Sequence, residues 1–528
     1  MSAIESKQNI AVLLEKQATT YGNKPLVHFI DENLTLTYDE FNRAVNRYAN
    51  TLKDSGIGQG DHVALMLPNC PDFPITWLAL SKLGAVTVAL NIGYKAQDME
   101  YVLNNADVCA LVTHTDFLPI YQEISHKMSK IRRVFTSGDK AEGYDQTLSN
   151  LAQNASEKFS LPQIASTDLM NLQYTSGTTG FPKGCMLTHE YWLSFVDSIA
   201  DYAEMSEEDV FLGVAPFYYI DSQWELLTTI MSGSKFVLGK KYSASGFMKW
   251  VRDYDVTVTF GTQAAWTYKQ PESPLDKQNK LRFVIVGQFP TELLKPFQER
   301  FNVQVRSGYA MTESGPATAI PMEAEHMLGT GTVGKAVINR QLMIVDDYGD
   351  EVSQGEIGEL LISGAGMMLG YYNNPDATST TLKDGWLHTG DLFRTDEDGF
   401  YYIVGRKKDM VRRSGENIAA IEVEEALINH PKIAFAAVTA VPDESRNEEV
   451  KAYILLQEGE TPETIPPEEI IQYCHSKIAA FKVPRYIEYR KCFPMTAAGK
   501  AIKRKLVGKN EDPTENCYDH LLENKRQD

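Results

Sequence analysis

The stretch Tyr174-Thr175-Ser176-Gly177-Thr178-Thr179-Gly180-Phe181-Pro182-Lys183-Gly184 places four hydroxyl side chains, three glycines and one lysine within eleven residues. Glycines let backbone N–H groups approach an anion closely, hydroxyls add donors and Lys183 adds positive charge. These are the ingredients of a phosphate-binding loop, with Thr175, Ser176, Gly177, Thr178, Thr179 and Lys183 as its contacting residues. The Walker pattern carries its Lys-Ser/Thr pair directly after a glycine, opening a helix. Here Lys183 follows Pro182, so no helix can start in that way. A flexible Ser/Thr/Gly linker would share the composition, but a linker has no reason to end in Pro-Lys-Gly between two apolar runs.

Four later stretches add chemistry. In Gly308-Tyr309-Ala310-Met311-Thr312-Glu313, a hydroxyl can donate to a phosphate while the adjacent carboxylate binds phosphate-bound Mg²⁺. Taken alone, the Thr-Glu pair reads first as a helix N-cap. Asp391 closes Gly385-Trp386-Leu387-His388-Thr389-Gly390-Asp391-Leu392, and a carboxylate can accept two hydroxyls at once. Gly405-Arg406-Lys407-Lys408-Asp409-Met410, followed by Ser414-Gly415-Glu416-Asn417, reads blandly as a charged connector. Lys500, in Pro494-Met495-Thr496-Ala497-Ala498-Gly499-Lys500, reads blandly as a surface charge.

Together, and in this order, these five stretches resemble the adenylate-forming superfamily: acyl-CoA synthetases, peptide-synthetase adenylation domains and luciferases. The resemblance covers nearly the whole chain. It implies ATP, Mg²⁺ and CoA as the small molecules used and an AMP-forming acid–thiol ligase as the activity. It implies that Thr312 meets the α-phosphate, Glu313 takes Mg²⁺ and Tyr309 stacks on adenine, with Ala310 where the family has glycine. It further implies that Asp391 accepts the ribose hydroxyls, with Arg406 beside it, and that Lys408 is the pivot of a small C-terminal domain. The Gly415 loop would line the pantetheine tunnel, where Arg412 and Arg413 read equally as CoA-phosphate contacts or as solvated charges. Lys500 is implied as the catalytic lysine, a positioned cation that offsets charge as pyrophosphate leaves.

The segment Ala215-Pro216-Phe217-Tyr218-Tyr219-Ile220-Asp221-Ser222-Gln223-Trp224 resembles the family's acyl-pocket motif, with Tyr219 where most acyl-CoA synthetases carry histidine. Its continuation resembles the carnitine/crotonobetaine–CoA ligase branch. Tyr219, Asp221, Trp224, Gly287 and Gln288 are the expected pocket residues. Gln288 and Phe289 stand where long-chain enzymes have small residues, which implies a short or polar acid. Tyr218, Tyr219, Trp224, Trp266 and Tyr309 could cage a quaternary ammonium group, although aromatics in such a segment more often simply pack. Aryl or longer-chain acids, and a stand-alone enzyme loading a carrier protein, are the alternative readings. His189 reads as a capping or packing residue near the loop.

The elements that must position these residues are α/β in pattern. Helical periodicity over 9–21, 36–56, 72–83 and 99–105 alternates with strand-like runs at 62–67, 86–90 and 110–113. Further strands are expected at 209–215, 256–260 and 283–286, and antiparallel hairpins over 329–364. The expected architecture is a large N-terminal domain (1–407) of helix-covered sheets with a β-rich subdomain, then a small mobile α+β C-terminal domain (408–528) hinged at Lys408. The final polar segment, 510–528, is expected to fray.

Composition bounds the rest. At 528 residues the chain is too long for one core. A net charge of −19 argues against nucleic-acid or anionic-membrane partners. The six cysteines show no CxxC spacing, which fits reduced thiols in a cytoplasmic protein. The apolar run 75–90 is interrupted by Lys82 and too short to span a bilayer. Partners are then a small carboxylic acid, ATP and CoA, and a homo-oligomer is left open.

Overall fold

The computed structural model describes residues 9–139, 141, 143, 146–175, 182–261, 264–287, 289–414, 416–443, 445–495, 501–506 and 512–522. The chain divides into two compact units. One contains the residues up to Thr175, then Pro182–Leu342 and Ile362–His388; the other contains Met343–Leu361 and the residues from Thr389 onward.

The first unit holds two largely parallel sheets. In one, the strands Arg133–Ser137, Ala110–His114, His62–Met66, Val86–Ala89 and Leu169–Thr175 run parallel in that spatial order, and Lys183–Thr188 adds antiparallel to the last. In the other, Gln304–Met311, Phe283–Val286, Val258–Phe260, Val210–Gly213, Lys235–Leu238 and Pro25–Phe29 are parallel neighbours. Such sheets are covered on both faces, so their strands are almost wholly buried.

The helices start where local chemistry lets them. Ile10–Tyr21 begins at Asn9, whose Oδ1 accepts from the Val12 N–H at 2.9 Å. Tyr38–Asp54 begins with a reciprocal capping box between Thr37 and Glu40. Fully buried Lys82, on Asp72–Leu83, ties these helices together through Glu15 and the side-chain oxygens of Asn42 and Asn46, both at 2.6 Å. These helices and strands follow the sequence expectation to within a few residues.

The second unit contains an α+β sheet. Ile433–Asp443 and Asn447–Leu456 form a long hairpin, flanked by Met410–Arg413 with Glu416–Ala419 and by Tyr486–Tyr489. Val423 and Leu427 of the Ala420–Ile428 helix pack on its apolar face with Val438, Val450 and Ile454. Fraying is not what the structure shows at Tyr518–Asp519. These residues add a further antiparallel strand, anchored by the forked pairing of Arg485 with Asp519. None of the described helices is long and apolar enough to cross a membrane.

Candidate active site

The expected phosphate-binding residues flank two antiparallel strands, Leu169–Thr175 and Lys183–Thr188, with Thr175 opposite Lys183 in register. Ser176, Gly177, Thr178 and Thr179 lie outside the described residues. The Lys183 ammonium sits 4.3 Å above the ring of Tyr371. His189 follows the second strand and opens a helix. It is fully buried, its Nδ1 accepts from the Ile10 N–H at 3.3 Å, and burial lowers its imidazole to about 4. It packs, as expected.

Thr312 and Glu313 are not on a helix. They form the turn of a hairpin between Gln304–Met311 and Gly315–Ala319, which excludes the N-cap reading. Gly315 leaves the turn at φ +71°, where an added Cβ would meet the Phe195 ring at 2.9 Å. Buried Arg340 locks the turn by donating to the Ser314 carbonyl at 2.5 Å and to the Ala365 carbonyl at 2.6 Å. Glu313 accepts from the Tyr371 phenol at 2.8 Å. Tyr309 is partly buried, and its hydroxyl contacts the Met311 sulfur at 3.8 Å.

In the second unit, Asp391 and Arg406 face each other on paired strands, and Arg406 Nε donates to Asp391 Oδ1 at 2.7 Å. Lys407 pairs with Asp347 at 2.8 Å and Glu359 at 3.3 Å, contacts that raise its pKa. Lys408 is exposed on the following single turn. Arg413 pairs with Glu449 at 2.7 Å, while Arg412 is exposed. Gly415 and Lys500 lie outside the described residues.

The pocket segment hangs from the strand that leads into the phosphate loop. Asn171 Nδ2 donates to Gln223 Oε1 at 3.0 Å, and Gln173 Nε2 donates to the Tyr218 carbonyl at 2.7 Å. The Trp77 and Trp192 indoles both donate to Asn171 Oδ1, at 3.0 and 3.2 Å. Tyr219 precedes the Ile220–Ser232 helix, touches the Tyr218 ring at 4.7 Å and accepts from Asn91 Nδ2 at 3.0 Å. Asp221 lies in the first turn of this helix, and burial pushes its carboxyl up to about 6, opposed by a hydrogen bond with the Trp224 side chain. Glu225, one turn later and 1% exposed, is pushed well above its usual range by burial and by Asp221. Its carboxylate lies against Gly213, where a Cβ would come within 2.6 Å of Oε2.

The five-aromatic cage is not assembled as expected. Trp224 is core, stacked on Phe195 at 5.7 Å and edge-on to Phe211 and Phe260. Trp266 is 56% exposed and its ring neighbour is Tyr242. Tyr218 and Tyr219 touch each other, their ring centroids 4.7 Å apart. Gly287 lies against Phe260, and Phe289 packs edge-on to Phe297; Gln288 lies outside the described residues. Arg340, Tyr371, Asn171, Gln173 and Glu225 were not singled out from sequence, because each acts through partners distant in the chain.

The two sheets, the Leu169–Thr188 strand pair and the Thr-Glu turn agree with the fold of adenylate-forming enzymes. Residues 14–372 match the AMP-binding enzyme family and 422–500 the AMP-binding enzyme C-terminal domain. The chain belongs to the AMP-binding enzymes, in the branch of AMP-forming acid–CoA ligases. It is 35% identical over 519 residues to a crotonobetaine/carnitine–CoA ligase of Proteus mirabilis (strain HI4320), covering 95% of this chain and 99% of that protein. It is 36% identical over 517 residues to the enzyme of the same name from Escherichia coli O9:H4 (strain HS), covering 94% and 99%. Its fold matches the anthranilate CoA ligase AuaEII in complex with anthranoyl-AMP, with a TM-score of 0.87 at 26% identity, covering 96% and 98%. ATP-bound MatB from Rhodopseudomonas palustris matches with a TM-score of 0.85 at 26% identity, covering 94% and 98%.

Proposed function

We propose that the acid activated by this ligase is short and carries a quaternary ammonium group. The observation that carries this reading is the Asp221–Glu225 pair. The two acids lie one helical turn apart, Asp221 near Tyr219 and Glu225 in the core against Gly213, and neither forms an ion pair among the described residues. An ionised Asp221 with no countercharge among the described residues is costly, and a cationic substrate would relieve that cost. The names of the relatives from Proteus mirabilis and Escherichia coli support the same class of acid.

The proposed roles follow from position. Thr175, Ser176, Gly177, Thr178, Thr179 and Lys183 cradle the outer phosphates of ATP, and Thr312 donates to the α-phosphate. Tyr309 stacks on adenine, and Asp391 with Arg406 holds the ribose. Among the described residues no cluster of three metal-ligating side chains exists. A single carboxylate, Glu313, suits an ion that arrives with the phosphates and keeps most of its waters. Mg²⁺ bound there supplies countercharge to the triphosphate.

The substrate carboxylate attacks the α-phosphorus, the bond to the β-phosphate oxygen breaks, and pyrophosphate leaves with Lys500 offsetting charge. The C-terminal domain, 408–528, then turns about Lys408. The CoA thiol, losing its proton, attacks the acyl carbon, and AMP departs as the C–O bond breaks. Gly415 lines the pantetheine path, and Tyr219, Asp221, Gly287 and Gln288 shape the acyl end, while Trp224 packs in the core.

Pyrophosphate release from MgATP over a panel of trimethylammonio, short neutral, aryl and long-chain acids tests this, with and without CoA and beside Lys500→Ala. Release with trimethylammonio acids, lost in Lys500→Ala and followed by CoA-dependent AMP release, is expected. Release with long-chain or aryl acids alone would overturn the substrate class, and AMP release indifferent to CoA would point to a carrier-protein acceptor.

A further inference from the structure

Tyr371 is brought to the phosphate side of the first unit by backbone bonds on two sides. The Met368 N–H donates to the Glu313 carbonyl at 2.9 Å, which fastens this segment to the Thr312–Glu313 turn. On its other side, Leu369 N–H donates to the Met186 carbonyl, Met186 N–H to the Gly370 carbonyl, and Tyr372 N–H to the Gly184 carbonyl, at 2.9, 2.9 and 2.8 Å. Cys185 and Tyr371 pair across an antiparallel bridge. Residues 368–372 are thus a splint between the strand that carries Lys183 and the turn that carries Glu313. The Thr378 hydroxyl accepts from the Tyr371 N–H at 2.9 Å, and Tyr371 is only 5% exposed.

The side chain then touches both functional groups. Its phenol donates to Glu313 Oε1 at 2.8 Å, and its ring face lies 4.3 Å beneath the Lys183 ammonium. A tyrosine phenol is protonated at neutral pH, so Oη serves Glu313 as a donor. A donor on one carboxylate oxygen fixes the rotation of the group.

We propose that Tyr371 is a positioning residue that couples the Glu313 carboxylate to the Lys183 ammonium and aims both at the triphosphate of ATP. This rests on the reading of Glu313 as the carboxylate on the Mg²⁺ side of the nucleotide. The two contacts are separable by substitution. Tyr371→Phe keeps the ring under Lys183 and removes the donor to Glu313. Tyr371→Leu removes both.

The test is calorimetric titration of the full chain with ATP plus Mg²⁺, ATP plus EDTA, and AMP, which needs no acid substrate. For Tyr371→Phe the Kd of ATP with Mg²⁺ is expected to rise roughly tenfold, as for loss of a partner that orients a metal ligand, with the other two within about twofold. Tyr371→Leu should weaken ATP with and without Mg²⁺, by loss of the cation–π contact as well, and leave AMP unchanged. Glu313→Gln is the reference and should show the Mg²⁺-specific loss, with Tyr371→Phe adding little on top of it. If Glu313→Gln shows that loss and Tyr371→Phe does not, the positioning role is wrong while the Glu313 reading stands. If Glu313→Gln shows none, the Glu313 reading fails and the proposal with it. Equal weakening of AMP and MgATP in Tyr371→Phe would mean general damage and would also overturn the proposal.

Discussion

Glu313 and Asp221 are two carboxylates of the same unit in contrasting surroundings. Glu313 sits on a hairpin turn with a phenol donor on one oxygen and, across one aromatic ring, the Lys183 ammonium. Asp221 opens a helix beside two tyrosines, with an indole as its partner and a second acid one turn away. The first carboxylate is supported by its neighbours, and the second is left with charge to be matched. On the reading advanced above, the supported one meets an ion that comes with its own phosphates, while the unmatched one meets a substrate that brings its own positive charge. On that reading generality and specificity reside apart: the nucleotide end would be pre-assembled, and the acyl end would be completed by the acid.

Substitutions can break each side of this contrast. The largest effect is expected for Glu313→Gln, which should slow pyrophosphate release on the order of a hundredfold or more, the cost of losing a charge-stabilising group at a reacting phosphate; single-turnover kinetics with AMP affinity as control would measure it. Next, Arg340→Met should destabilise the first unit by about 3 kcal/mol, because the buried carbonyl of Ser314 and the part-buried carbonyl of Ala365 lose their donor. A urea titration reads that loss, and an unchanged midpoint would show that the turn does not depend on Arg340. At the acyl end, Asp221→Asn should lower kcat/KM for a trimethylammonio acid roughly tenfold while sparing a neutral one, the signature of a lost charge contact.

The smallest effect is in pH. The Asp221 carboxyl is pushed up to about 6, so it gains a proton as pH falls through that value. At pH 6 about half the molecules have lost this charge, and KM for a cationic acid should rise about twofold relative to pH 8. KM for a neutral acid should not follow. The raised pKa also makes ionised Asp221 a cost to folding above about pH 6, a cost relieved as pH falls.

The nucleotide end was far more legible in sequence than its supports. The 174–184 loop, the Thr312–Glu313 pair and Asp391 stand in short, ordered stretches, so composition and spacing bring them to notice. The hairpin turn under Thr312 and Glu313 is not legible locally, since two residues of sequence cannot tell a turn from a helix start. Tyr371 and Arg340 meet Glu313 and Ser314 from distant positions with no shared periodicity. At the acyl end, Trp224 looked like a cage wall because aromatics carry no label distinguishing packing from recognition. Only the stacking on Phe195 and the edge contacts with Phe211 and Phe260 separate the two. Asn171 and Gln173 were hidden for a related reason: polar residues in a buried strand announce a partner without naming it. The α/β alternation, by contrast, follows from local hydrophobic period and caps, and the helices at 10–21, 38–54 and 72–83 emerged close to their expected bounds.

The most direct measurement compares 4-(trimethylammonio)butyrate with 5,5-dimethylhexanoate, its uncharged counterpart of the same shape, by kcat/KM for CoA-dependent AMP release. The charged acid should be preferred by roughly tenfold or more, and Asp221→Asn should erase most of that preference. Equal use of the two acids, or a preference for the neutral one that Asp221→Asn leaves intact, would contradict a pocket built to receive a cation.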